Sequence, residues 1–132
     1  MAHLTDADRL KLLMDYTKFH IGMYTTIITV LLGLIVIGVD QSTVKIPVEF
    51  RQPMFVISLF FSVAGGFAGM VAAPIPNHSG TFDEYWDGPS RIFGCSASKV
   101  PVRIAARCEH IAFWIAVVIG LVTVAVGGWS IL

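Results

Sequence analysis

Residues 20–39 read HIGMYTTIITVLLGLIVIGV, a run without Asp, Glu, Lys or Arg. Phe19 extends it, and Lys18 and Asp40 bound it. At about 1.5 Å of rise per residue, twenty helical residues cover roughly 30 Å, the hydrocarbon thickness of a bilayer. In lipid such a segment satisfies its own backbone only as a helix. Two further uncharged stretches follow. Residues 52–82 form one, with the apolar part ending near Ile75, where Pro74, Pro76 and Asn77-His78-Ser79-Gly80 intervene; residues 110–132 form the other. The expected fold is an all-α integral membrane protein, one membrane domain over residues 1–132, with spans at about 20–39, 53–75 and 110–131.

Composition agrees. The chain has 132 residues, of which 55% are hydrophobic and 14% charged, and a mean hydropathy of +0.75. A soluble domain carries about 25% charged residues. Nine basic and nine acidic residues cancel. This excludes a disordered chain and a nucleic-acid binder acting through a basic field, and it argues against a soluble enzyme.

Seven of the nine Lys and Arg lie on one side of a three-span topology: Arg9, Lys11 and Lys18 before the first span, and Arg91, Lys99, Arg103 and Arg107 between the second and third. Lys45 and Arg51 fall on the other side. The bias places the N-terminus in the cytoplasm and the C-terminus outside a bacterial-type inner (plasma) membrane. The acid-bearing leader and the length of the first apolar run are unlike a cleavable signal, so the first span is expected to remain as an anchor.

Residues 4–19 read as an amphipathic cytoplasmic helix running into the first span. Thr5 and Asp8 have capping-box spacing, and Asp8, Lys11, Asp15 and Lys18 can pair along one face. Residues 40–52 alternate apolar and polar, which suits a short extended segment with Pro47 at an edge. The cytoplasmic loop 76–109 is long for a connection without structure. Its Phe82, Tyr85, Trp86 and Phe93 suit contact with headgroups or with a partner chain. Lys99, Arg103 and Arg107, four apart, would line one face of a helix beginning near Pro101 and meet anionic lipid.

The spans as bounded hold no Asp, Glu, Lys or Arg, which disfavours ion-coupled transport. Ser58 and Ser62 have no His or Lys beside them, so helix-to-helix hydrogen bonding explains them better than nucleophilic duty. No catalytic residue, metal site or cofactor is assigned. His20 and His110 each begin a span at the cytoplasmic end and could face each other, the one arrangement in the chain suited to haem or quinone contact. In size and span count the chain resembles succinate dehydrogenase anchor subunits, which would imply a haem or quinone site. Against this, the second span holds no His and no His-Arg-x-Ser-Gly run occurs. Cys95 and Cys108, on the cytoplasmic side, read as free thiols.

Small residues at four-residue spacing are the strongest positive signal. They are Gly65, Gly69 and Ala73 in the second span, with Ala64, Ala68 and Ala72 one position earlier, and Ala112, Ala116 and Gly120 in the third. Such faces let helices approach closely. In the first span Thr25 and Thr29 carry hydroxyls that can bond to their own helix, hold a neighbour or line a wet pore. The expectation is a non-enzymatic protein partnered by the bilayer and by itself, a homo-oligomer forming or regulating a pore. The alternative is an accessory subunit of a larger membrane complex, possibly redox. A phage-type lysis protein fits size and span number, but its usual orientation is opposite to the charge bias.

Overall fold

The structure, a computed structural model, describes residues 4–40, 47–92 and 96–129. It is mostly helical, with three helices long and apolar enough to cross a membrane. Helix α1 runs unbroken from Asp6 to Asp40, α2 from Val48 to Ala72 and α4 from Val102 to Trp129. Between α2 and α4 lie a 3-10 turn at Ile75–Asn77, a short helix α3 at Phe82–Asp87, and the strands β1 (Pro89–Ile92) and β2 (Ser96–Pro101).

Local chemistry sets these boundaries. Thr5 Oγ1 accepts the Asp8 N–H at 3.2 Å, and the Thr5 N–H donates to the Asp8 carboxylate at 3.2 Å, closing the start of α1. Pro47, with ψ 144°, precedes α2 in an extended conformation, and Glu49 sits in the first turn, where the helix dipole favours an acid. Val48–Gln52 is therefore helical rather than extended; residues 41–46 of that connection lie outside the described residues. Ala73 keeps helical backbone (φ −59°, ψ −36°) and its N–H bonds Gly69 O, but Pro74 has no N–H to continue the ladder, and α2 ends at Ala72.

The connection between α2 and α4 departs furthest from expectation. Thr81 and Glu84 form a reciprocal capping box that starts α3. A side chain at Gly88 would put Cβ 2.8 Å from the Glu84 carbonyl oxygen, so only glycine fits where α3 turns into β1. The strands pair antiparallel, with Pro89 opposite Pro101 and Ile92 opposite Ser96. Ser90 is buried and donates to the Val100 carbonyl at 2.8 Å. The Val102 N–H then bonds Gly88 O at 3.0 Å, tying the hairpin base to α4. The fold is thus helical with one added hairpin. Lys99 lies on β2, so only Arg103 and Arg107 of the expected basic face are on α4.

In the bundle α2 is central, with α1 on one side and α4 on the other. One core joins Tyr24, Ile57, Phe61, Ala64, Ala68, Ala112 and Ala116. A second, nearer the loop, joins Val71, Tyr85, Val102 and Ala105, with Leu10, Leu13, Ile75 and Trp86 against it. The outward faces are apolar too: Phe55 and Leu59 on α2, and Trp114, Val118, Leu121 and Val124 on α4, are exposed. Lipid, not water, suits such a rim.

Tyr85 is buried, and its hydroxyl donates to the Val71 carbonyl. Burial pushes its phenol well above the usual tyrosine range, which keeps it a donor. It anchors the loop to α2 and is withdrawn from contact with lipid or a partner. Tyr85→Phe should cost about 1 kcal/mol and speed proteolytic cleavage within residues 78–92, measured by limited digestion in detergent; an unchanged cleavage rate would count against this anchor.

Candidate functional site

Between the two cores lies a polar layer that the apolar pattern conceals. His20 and Tyr24, one helical turn apart on α1, point at Glu109 on α4. Tyr24 donates its O–H to Glu109 Oε1 at 2.8 Å. His20 Nδ1 lies 2.7 Å from the same oxygen; with Nδ1 protonated it donates there, as the adjacent carboxylate favours. The His20 and Glu109 side chains are 15% and 5% exposed. The Tyr16 ring lies against the imidazole, centroids 4.0 Å apart. Glu109 Oε2 is 3.6 Å from His110 Nδ1, which itself donates to the Ala106 carbonyl of its own helix at 3.0 Å.

Neighbouring residues hold this geometry. The Tyr24 ring sits in an aromatic group with Phe61 and Phe113, at 5.7 and 6.1 Å between centroids. One turn along α2 from Phe61 lies Gly65, where a Cβ would stand 3.8 Å from the ring. The ring is therefore fixed in the apolar core while its hydroxyl reaches the carboxylate. Among the described residues, no buried side-chain nitrogen or oxygen is without a partner. Chemically, the cluster is a carboxylate with two donors on one oxygen, able to share and exchange a proton with an imidazole.

The expected site residues distribute as follows. His20 and His110 come together, ring centroids 6.3 Å apart, at the end of the bundle that carries the loop. Ala112 and Ala116 are buried against α2, and at Gly120 a Cβ would meet Ile57 at 3.8 Å. Gly69 and Ala73 lie instead on an open groove of about 450 Å3, with Val63, Gly66, Phe67 and Ile92. Thr25 and Thr29 are exposed, and their hydroxyls donate back to Ile21 O and Thr25 O at 2.8 Å. Ser58 and Ser62 likewise bond to their own helix, not across helices. Phe82 stacks on Trp86 at 5.8 Å, and the Arg9 guanidinium lies 6.0 Å over the Phe82 ring. Arg103 pairs with Asp87 at 3.0 Å on the surface, and Arg107 is exposed. Cys108 is free and half-buried; Cys95 and Phe93 lie outside the described residues. No group of three or more His, Cys, Asp or Glu among the described residues is arranged to hold a metal ion.

Glu109 is the member of this cluster that the sequence pattern leaves out, because a charged residue reads as the limit of the third span. The available signal was position: Ala105, Glu109, Ala112 and Ala116 recur at helical spacing, and the three alanines are buried. A carboxylate on a stripe of buried alanines needs a buried partner. Comparison with protein-family models, curated proteins and solved structures finds no match.

Proposed function

We propose that the chain is a non-enzymatic membrane protein of the inner (plasma) membrane, its N-terminus cytoplasmic, that acts by assembling with copies of itself to form or regulate a pore. One observation carries the reading. A Cβ at Gly66 or Gly69 would meet nothing within 4 Å among the described residues. Helix-interior glycine is less favourable than alanine by roughly 0.5–1 kcal/mol, so two such glycines on an open groove serve close approach by another helix. The bundle's own seam uses Ala64, Ala68, Ala112 and Ala116 instead. The basic residues of the leader and loop support the orientation. Thr25, Thr26 and Thr29, exposed on α1, support the pore.

The test is a Gly66→Leu/Gly69→Leu double variant, extracted gently and sized by light scattering. The unaltered chain is expected as one species at an integer multiple of 14.4 kDa, and the variant as a monomer with an undiminished unfolding midpoint. An unchanged size for the variant would remove the interface. In the same preparations, equal ion flux through liposomes bearing Thr25→Val/Thr29→Val would remove the pore and leave the assembly. Co-purification with larger chains at fixed stoichiometry would replace self-assembly by the role of an accessory subunit.

A further inference from the structure

Among the described residues, the polar contacts between α1 and α4 run through Glu109: the Tyr24 hydroxyl at 2.8 Å and the His20 imidazole at 2.7 Å. Both helices otherwise pack chiefly along α2. The carboxylate is buried at the boundary between the membrane core and the loop core, where a charge interacts far more strongly than in water. We propose that Glu109, His20 and Tyr24 form a proton-responsive clasp that holds α1 on α4 while Glu109 is ionised and loosens that seam when Glu109 takes up a proton.

The chemistry gives the direction. An ionised Glu109 accepts two hydrogen bonds at Oε1 and balances a protonated His20; such charge-assisted bonds are roughly twice as strong as neutral ones. Adding one proton to the carboxylate forms an O–H bond and breaks no covalent bond. It leaves a neutral acceptor facing the imidazolium, and the cluster gains a positive charge with nothing beside it to offset that charge. The titratable groups facing Glu109 are Tyr16, His20 and Tyr24 from α1 and His110 from its own helix. From α2, Phe61 and Gly65 back the Tyr24 ring, and neither titrates. With no second carboxylate among these groups, Glu109 is the group whose protonation removes negative charge. The clasp therefore holds while Glu109 is ionised and loosens once the carboxylate is protonated. Among the described residues Glu109 is the buried acid, and the α1–α2 contact of Tyr24, Phe61 and Ala64 is apolar packing that stays closed.

The experiment uses spin labels on the full chain in nanodiscs, with Cys95 and Cys108 replaced by Ser. One pair, Phe19→Cys with Ile111→Cys, reports α1 against α4. The other, Phe19→Cys with Val63→Cys, reports α1 against α2. All three sites are exposed. From about pH 8 to about pH 3, a range that spans imidazole and carboxylate titration, the first distance should lengthen and broaden while the second holds. Glu109→Gln keeps an acceptor of the same shape without the charge, so its α1–α4 distance should match that of the acidified parent at every pH. Two results overturn the clasp: an α1–α4 distance that ignores pH in the parent, or a pH response that survives Glu109→Gln. Should Glu109→Gln fail to fold, infrared difference spectra of the parent decide. The C=O band of a buried protonated carboxyl must rise with the distance change, and a distance change without that band also overturns the clasp.

Discussion

Alanine at His20 is expected to destabilise the bundle by roughly 3–5 kcal/mol, the usual cost of removing one partner from a buried ion pair. The loss exceeds that of a packing residue of the same size. The imidazole occupies one of two donor positions on Glu109 Oε1, and what remains is a carboxylate 5% exposed with Tyr24 alone to answer it. The charge, not the vacated volume, sets the magnitude. The same reasoning gives a compensating change. Adding Glu109→Gln to His20→Ala removes the uncompensated charge and keeps an acceptor for Tyr24, so the double variant should be more stable than His20→Ala alone. Unfolding midpoints followed by tryptophan fluorescence in one detergent measure both. Equal midpoints for the single and double variants would mean that the pair contributes shape and no electrostatics.

The second large effect lies on the alanine seam. Ala64 and Ala68 are fully buried where α2 meets its neighbours. Leucine at either position adds three carbons where no space exists, and overpacking of this kind costs about 1–3 kcal/mol per site. The Ala64→Leu/Ala68→Leu chain should therefore lose helix-to-helix packing, with near-ultraviolet dichroism collapsing while far-ultraviolet dichroism persists. The adjacent line of α2 is expected to give the opposite outcome: a Cβ at Gly66 or Gly69 meets no described atom within 4 Å, so leucine there can extend along the open groove and leave the near-ultraviolet signal intact. Two pairs of substitutions on neighbouring lines of one helix thus separate packing within the chain from packing between chains. Similar losses for both pairs would mean that the glycine groove is closed inside the protomer.

The spans were legible because twenty residues without charge leave lipid as the only solvent and a helix as the only backbone solution. The unbroken run from Asp6 was legible for a related reason: Thr5 with Asp8 marks a start, and no proline or turn signal follows before Asp40. The loop was not. Ser96–Pro101 carries two serines and a lysine in six residues, which reads as coil, and it becomes a strand through Ser90, Ser98 and the Gly88–Val102 bond. Tyr85 has the pattern of an interfacial aromatic. Its burial depends on a carbonyl fourteen residues earlier, which no local periodicity encodes. Of the cluster, the two histidines stood out by type and position, while Glu109 looked like the edge of the membrane. A buried carboxylate and a boundary carboxylate have the same sequence signature until the helix opposite is placed.

That polar layer also constrains how the protein is made. A ribosome delivers α1 first, and Tyr24 and His20 precede Glu109 by 85 and 89 residues. When the third helix reaches the insertion machinery, its carboxylate enters a bilayer that already holds both donors. A charged side chain at the centre of a span costs about 2.5–3.5 kcal/mol to insert, and less toward the end. α1 thus serves as an acceptor site for α4, which inserts at lower cost because α1 is already in place.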